Sequence, residues 1–330
     1  MDVLGLASVY NEYIHEKRDL RTDSLPMMAS PLPTLFISLT YVWLVWGLGP
    51  RFMKNRPAYD LQGAIVLYNA FQVVFSTFIF YKFLTAGWLF DYDYRCQPVD
   101  YTSKGLPMVY AAWWYYISKF TEFPDTFFFV LRKKFSHASV LHVVHHGLMP
   151  FSVWWGMKVM PGGHSTFFGL INSLVHIVMY TYYMLAAMGP AYRRYIWWKK
   201  YLTKFQMVQF VAIFVHSFQL LFRKCSYPTA GFWYIGAHGV LYFILFSNFY
   251  NKEYISKTNA KKRKSIENGK DKLSNGNGEC LNGHALTNGG TTNGVGQKFA
   301  PTNGSALTNG ARERHVAAAN GHSNGHGDDS

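Results

Sequence analysis

Charged residues are scarce in this chain of 330 residues, at 15%, whereas aromatic residues make up 18%. Soluble proteins average about a quarter charged residues, so this composition excludes an ordinary water-soluble core and favours a membrane as the solvent. The mean hydropathy of −0.03 does not contradict this, because it averages an apolar body with a polar tail. The apolar body and the polar tail therefore have different expected structures.

The chain also lacks address signals at its ends. Residues 1–10 contain no basic region and no continuous apolar stretch, so no cleaved signal peptide is expected. The final residues, Asp328, Asp329 and Ser330, contain no KDEL-like retrieval signal. Beyond Lys264 the sequence becomes rich in Asn-Gly and has little to bury, so we expect it to be disordered.

Seven apolar stretches approach the roughly twenty residues that a helix needs to cross a bilayer. They are residues 32–48, 63–83, 108–131, 138–157, 166–188, 205–222 and 232–250. The sequence therefore predicts an all-α integral membrane protein with seven transmembrane helices. We divide it into an N-terminal segment (1–31), a transmembrane domain (32–250) and a basic, then disordered tail (251–330).

Lysine and arginine are divided unevenly among the connecting loops. The loops after the first, third and fifth stretches and the segment after the seventh are rich in them, as in Arg132, Lys133 and Lys134. Short loops rich in these residues are retained on the cytoplasmic side. We therefore expect a lumenal N-terminus and a cytosolic C-terminus.

Cysteine is rare, with three residues in the chain. Cys96 and Cys225 lie in loops that this orientation assigns to the oxidising lumen, where a disulfide between them is expected. The alternative is two unpaired thiols. Cys280 lies in the tail and has no assigned role.

The titratable residues within the predicted spans are few and grouped. They are Lys119, Glu122 and Asp125 in the third span, His142, His145 and His146 in the fourth, His176 in the fifth, and His216 and His238 in the last two. Such residues are costly in a membrane and by default mark functional sites. At a rise of about 1.5 Å per residue, most of them fall at a similar depth in the cytosolic half.

Helical spacing places polar residues on shared faces. Residues three and four apart are neighbours on a helix, which groups Asn172, His176, Tyr180 and Tyr183 on one span, and Gln206 with Gln209 on another. Simpler structural roles remain open for some residues: a packing role for His216 or His238, a local ion pair between Lys119 and Glu122, and packing or interfacial anchoring for the aromatic residues 113–116. Three adjacent buried imidazoles have no comparable structural purpose, so His142, His145 and His146 are the leading candidates for function.

Two other classes of protein were compared with this pattern. Di-iron desaturases and hydroxylases use several His-x-x-His-His boxes, whereas this chain has one, at residues 142–146. Common seven-helix receptors carry an Asp/Glu-Arg-Tyr triplet after the third span and an Asn-Pro-x-x-Tyr motif in the seventh. Neither motif occurs at the corresponding positions here. Imidazole as a base or nucleophile, without a metal, is therefore the favoured chemistry.

Five segments carry a family resemblance. They are LYNAFQ (67–72), KFTEFPDT (119–126), HVVHH (142–146), NSLVHIVMYTYY (172–183) and TKFQMVQ (203–209). In order and spacing they resemble the signature motifs of the very-long-chain fatty-acid elongase (ELO) family, most closely its members that act on saturated and monounsaturated acyl-CoAs. Pro124 departs from the family pattern, and we expect it to interrupt the helix and shift Glu122 relative to Asp125.

The resemblance implies a seven-helix acyltransferase of the endoplasmic reticulum membrane, a very-long-chain 3-oxoacyl-CoA synthase. Such an enzyme condenses acyl-CoA with malonyl-CoA, with the acyl chain in a tunnel inside the bundle. It implies CoA thioesters as substrates, no bound cofactor, and as partners membrane lipid, other enzymes of the elongation cycle and a second copy of the chain. No nucleic-acid partner is expected.

The resulting hypothesis gives each candidate residue a role. His145 attacks the acyl thioester, while His142 and His146 orient it or move protons. His176 and Asn172 stabilise the developing negative charge, and Glu122 and Asp125 set imidazole protonation. The residues left for positioning are Lys119, Tyr180, Tyr183, Gln206 and Gln209. In the competing mechanism, a histidine acts only as a base.

Overall fold

The computed structural model describes residues 17–260 and 262–266, in which every regular element is helical. The helices are α1 (Leu32–Met53), α2 (Gln62–Trp88), α3 (Leu106–Thr121), α4 (Pro124–Leu131), α5 (Val140–Val159), α6 (Thr166–Ala187), α7 (Lys199–Phe218) and α8 (Thr229–Tyr250). The predicted disorder of the Asn-Gly tail, with Cys280, lies outside the described residues.

Five helical segments are long and apolar enough to cross a membrane. They are Leu32–Met53, Gln62–Trp88, Gly163–Ala187, Lys199–Phe222 and Thr229–Ile266. The third and fourth stretches predicted from sequence do not reach this standard, so the count of seven spans stays a prediction. These two are also the stretches that contain the Lys119 group and the histidine box, whose polar residues lower the mean hydropathy.

The stretch at residues 108–131, predicted as one span, is divided between two helices. Helix α3 ends at Thr121, and α4 begins at Pro124. Proline lacks a backbone N–H and has a fixed φ, so it suits the first turn of a helix but not its interior. The interruption expected at Pro124 is thus confirmed, and it places Glu122 in the break.

Six helices form a closed ring. The order of the helices around the ring is α2, α3, α5, α8, α7 and α6, and α6 also packs against α2. Between α5 and α8, the Ser152 hydroxyl lies 3.0 Å from His238 Nε2, and the Tyr234 hydroxyl donates to the Ser152 carbonyl, also at 3.0 Å. Helix α1 packs on α5, so polar residues facing the middle of the ring are shielded by helices.

Polar contacts connect the segment before α1 to the C-terminal end of α5. Lys158, which is almost fully buried there, pairs with Asp23 and donates to the Met28 carbonyl at 3.0 Å. Trp154 Nε1 donates to the Met27 carbonyl at 3.1 Å. Because Met28 is itself buried in the main apolar cluster, this segment closes the end of the bundle opposite the histidine box.

A disulfide bond joins Cys96 and Cys225, with their Cα atoms 5.8 Å apart. The loop before α3 is thereby tied to the loop before α8. Since assigning both loops to one oxidising compartment predicted this pairing, the structure agrees with that prediction. The bond lies beside Val99, Met160 and Tyr227, at the same end of the bundle as Lys158.

Candidate active site

A buried ion pair stands at the break between α3 and α4. Lys119 Nζ lies 2.6 Å from Glu122 Oε1, and the two side chains are 1% and 2% exposed. The local pair considered from sequence is therefore confirmed. Glu122 is the C-cap residue of α3, in the break before Pro124. It is still close enough to Lys119 to form the ion pair. Each charge compensates the other in a site from which water is largely excluded.

The Glu122 carboxylate also faces two imidazoles from other helices. Oε1 lies 3.3 Å from His176 Nδ1 on α6, and Oε2 lies 3.6 Å from His146 Nδ1 on α5. Within the described residues, neither Glu122 Oε2 nor His146 Nδ1 has a hydrogen-bond partner. Glu122 thus joins three elements, and one of its contacts needs only a small approach to become a hydrogen bond.

Asn172 extends this network to α7. Its Oδ1 accepts from Tyr115 at 2.8 Å and from Lys119 at 3.3 Å, and its Nδ2 donates to Gln209 Oε1 at 3.4 Å. The packing role favoured for Tyr115 from sequence is therefore incomplete, because its hydroxyl belongs to the site. Only the pairing across helices reveals this, since nothing in the aromatic run distinguishes Tyr115.

The histidine box occupies the first turns of α5. Ser139 caps this helix by accepting from the His142 N–H at 3.3 Å. His142 Nε2 lies 2.9 Å from the Thr126 hydroxyl. The His142 and His146 rings lie 4.4 Å apart, and those of His145 and His146 lie 5.1 Å apart. The three imidazoles therefore form one cluster, as the spacing predicted.

His145 has a different environment from its neighbours. It is half-buried, and among the described residues none hydrogen-bonds to its ring. The Tyr242 ring on α8 meets it edge-on, with centroids 4.8 Å apart. His145 is therefore the imidazole of the box with neither a hydrogen bond nor an ion-pair contact among the described residues, whereas His142 contacts Thr126 and His146 faces Glu122.

Asp125 and the tyrosines of α6 form a second polar group. The Tyr180 hydroxyl donates to Asp125 Oδ2 at 2.9 Å, and the Tyr183 ring packs edge-on against Tyr180 at 6.1 Å. Gln206 Nε2 donates to Met179 Sδ at 3.3 Å. The face predicted on α6 is thus divided: its N-terminal part contacts Glu122, while its C-terminal part contacts Asp125 and α7.

His216 and His238, the single histidines of the last two predicted spans, lie in different environments. His216 stacks on His164 at 3.8 Å and on Phe167 at 3.9 Å, near the disulfide end, which fits the packing role considered from sequence. His238, in contrast, lies against Ser152 and lines a cavity.

That cavity has a volume of about 70 Å³ and lies within the ring, with mostly apolar walls. Phe83, Met157, Met160 and Phe168 contribute to it, and Tyr115 is a shared wall between the cavity and the Asn172 network. An apolar group could therefore lie in the bundle beside the polar site. Within the described residues, no three His, Cys, Asp or Glu side chains are grouped to hold a metal ion.

A titratable cluster enclosed by a ring of helices, several of them apolar enough for a bilayer, is consistent with a multi-pass membrane protein. Residues 26–262 match the ELO family, described as the GNS1/SUR4 family. The chain belongs to this family.

Three relatives illustrate the similarity. The chain is 59% identical over 247 residues to a very long chain fatty acid elongase of Aedes aegypti, covering 74% of this chain and 69% of that protein. It is 50% identical over 302 residues to very long chain fatty acid elongase 7 of Drosophila melanogaster, covering 89% and 88%. It is 43% identical over 254 residues to very long chain fatty acid elongase 1 of Homo sapiens, covering 76% and 91%. The protein is therefore an enzyme of fatty acid elongation.

Proposed function

We propose that this protein is a very-long-chain 3-oxoacyl-CoA synthase, an acyltransferase that performs the condensing step of elongation. Acyl-CoA, malonyl-CoA and a proton give 3-oxoacyl-CoA, CoA and carbon dioxide. The observation that carries the proposal is His145, with neither a hydrogen bond nor an ion-pair contact among the described residues, beside the Glu122 network in a bundle that also encloses an apolar cavity.

The cavity supports an acyl chain as the substrate. It begins at Tyr115, beside the polar network, and extends toward Met160 at the end of α5 that carries the disulfide. The other end of the site lies near Arg132, Lys133 and Lys134, which follow α4 and suit the phosphates of CoA. The reacting thioester would then lie between these two regions, at the level of the histidine box.

In the first half-reaction, a ring nitrogen of His145 attacks the thioester carbonyl. A carbon–nitrogen bond forms, the carbon–sulfur bond breaks, and the proton displaced from the imidazole accompanies the CoA thiolate as it leaves. His142 and His146 orient His145 or relay that proton. Since Thr126 contacts His142 and Glu122 faces His146, both rings have neighbours that fix their orientation.

In the second half-reaction, malonyl-CoA loses carbon dioxide, and the enolate carbon attacks the acyl carbonyl. His145 is the leaving group, and its ring nitrogen takes up the proton that the overall equation consumes. Glu122 pairs with Nδ1 of His176, so the Nε2 of that ring donates to the enolate oxygen when His176 is an imidazolium. Asn172 has a second amide hydrogen besides the one given to Gln209. Both groups are suited to stabilise negative charge as it develops. Neither half-reaction transfers electrons, so the proposal requires no redox cofactor.

The remaining assignments belong to the same proposal. The enzyme resides in the endoplasmic reticulum membrane with seven spans, a lumenal N-terminus and a cytosolic C-terminus, where it meets membrane lipid and the other enzymes of the elongation cycle. The basic loops and the disulfide at opposite ends of the bundle support this orientation. A second copy of the chain is the expected partner in a homodimer.

The test uses the purified full chain with labelled malonyl-CoA and a panel of saturated and monounsaturated acyl-CoAs. We expect labelled 3-oxoacyl-CoA two carbons longer than its precursor. His145→Ala should abolish it, while His137→Ala, at an exposed position before α5, should not. Absence of this product with every acyl-CoA of the panel would overturn the function.

Mass spectrometry of the protein incubated with acyl-CoA alone separates the two mechanisms. The covalent route predicts a mass gain of one acyl group on His145. If turnover is normal and no such gain occurs, His145 acts only as a base.

A further inference from the structure

Tyr242 is a fully buried tyrosine without a hydrogen bond for its hydroxyl. The side chain is 1% exposed, and among the described residues its hydroxyl has no partner. A buried polar group left unpaired destabilises a fold, and most such groups in native proteins are paired. A phenylalanine would fill the same space without that cost, so packing alone does not explain the hydroxyl.

The position of Tyr242 connects the reacting histidine with the cavity. Its ring lies 4.8 Å from the His145 ring and 6.2 Å from the His238 ring, one helical turn away on α8. Since His238 lines the cavity, Tyr242 lies between a residue of the cavity wall and His145.

Other tyrosine hydroxyls facing this part of the bundle are already engaged. Tyr115 donates to Asn172, Tyr180 to Asp125, and Tyr234 to the Ser152 carbonyl. Each of these would have to break an existing hydrogen bond before it could donate to a substrate. Tyr242 has no such bond to lose.

We propose that the Tyr242 hydroxyl donates a hydrogen bond to the carbonyl oxygen of the acyl thioester while His145 attacks it. This inference rests on the proposed condensing function and adds a catalytic residue to it. As the carbon–nitrogen bond forms, the carbonyl electron pair moves onto oxygen. The phenol O–H stabilises that charge without transferring its proton, and the carbonyl re-forms as the CoA thiolate leaves.

The test compares Tyr242→Phe with wild type in detergent. Removing one preorganised donor of this kind lowers kcat by about 100-fold. We expect a similar fall in the rate at which acyl-CoA alone acylates His145, with KM for acyl-CoA nearly unchanged. Because the variant loses an unpaired buried hydroxyl, its Tm should be equal to or above that of wild type. A merely structural residue would instead lose Tm and activity together.

Tyr116→Phe is the matched control. Tyr116 is equally buried, but its hydroxyl pairs with Thr34 at 2.6 Å, away from the histidine box. We expect this variant to lose Tm while its acylation rate stays close to wild type. A catalytic role for the Tyr242 hydroxyl therefore predicts that Tyr242→Phe loses acylation rate but not Tm, and that Tyr116→Phe loses Tm but not acylation rate.

The failures of the two proposals are distinguishable. A wild-type acylation rate in Tyr242→Phe overturns the role of Tyr242, while loss of product in His145→Ala still supports the condensing function. If Tyr242→Phe folds poorly, 3-fluorotyrosine at position 242 keeps the ring and makes the hydroxyl a stronger donor. An unchanged acylation rate would then overturn the inference, and a faster one would support it.

Discussion

Replacing Lys119 with methionine tests how strongly the buried ion pair organises the site. Lys119 and Glu122 are 2.6 Å apart and 1% and 2% exposed, so the substitution leaves a carboxylate buried beside two imidazoles without its cation. Breaking such a pair from one side costs about 3–5 kcal/mol. In a domain of this size, each kcal/mol of lost unfolding free energy lowers Tm by about 2–4 °C. The Tm of Lys119→Met should therefore fall by roughly 10 °C.

A second substitution distinguishes two effects of Lys119→Met on stability: the loss of the ion pair, and the burial of an unpaired Glu122 carboxylate. In the double variant Lys119→Met with Glu122→Gln, no net charge is left at the pair, so at least about 2 kcal/mol should return. Activity should not return, because Glu122 also faces His146 and His176. The assay is thermal unfolding in detergent, followed for both variants alongside 3-oxoacyl-CoA formation.

Lys257→Met is the matched control. The Lys257–Glu253 pair has the same 2.6 Å separation, but its side chains are 62% and 31% exposed. Water screens that pair, so its loss should cost less than about 1 kcal/mol. Equal Tm shifts for Lys119→Met and Lys257→Met, or a double variant no more stable than Lys119→Met, would refute the reasoning.

Three further predictions concern the cavity and the closed end of the bundle. An added Cβ at Gly156 meets no atom within 4 Å, so Gly156→Leu should fill the cavity and shorten the longest acyl chain accepted, as product analysis would show. Partial burial favours neutral Asp23, but the hydrogen bond and charge of Lys158 outweigh it and lower the pKa of Asp23 below 3.8. Its stabilisation is therefore complete above that pH and is lost as the pH falls below it. Asp23→Asn should flatten this acid dependence of Tm. The disulfide spans 129 positions, so in the chain-entropy model reductant should destabilise the wild type by about 5 kcal/mol and leave a variant with serine at Cys96 and Cys225 unaffected.

The sequence predicted the parts of the site that depend on spacing along one helix. The contact between His142 and His146 and the Lys119–Glu122 pair follow from separations of four and three residues. The interruption at Pro124 follows equally from local chemistry. These features need no knowledge of how the helices are rotated about their axes.

Contacts between helices could not be predicted in the same way. The bond from Tyr115 to Asn172 and the contact of His145 with Tyr242 depend on the rotation of each helix and on the order of packing around the ring. An aromatic residue in an apolar segment looks the same in sequence whether it faces lipid or the site. For this reason the composition of residues 232–250 does not single out Tyr242.

Three of the eight buried side-chain atoms that lack a hydrogen bond within the described residues lie at or beside the histidine box, and their position bears on how the enzyme accelerates its reaction. Glu122 Oε2, His146 Nδ1 and the Tyr242 hydroxyl are buried without hydrogen bonds among the described residues. Each destabilises the resting fold, because its lost hydration is not replaced. A catalyst gains rate only from interactions that are stronger in the transition state than in the ground state. In the proposed reaction, the Tyr242 hydroxyl finds a partner only as negative charge develops on the acyl carbonyl oxygen, so it meets that requirement. The same argument explains why Tyr242→Phe should be slower without being less stable.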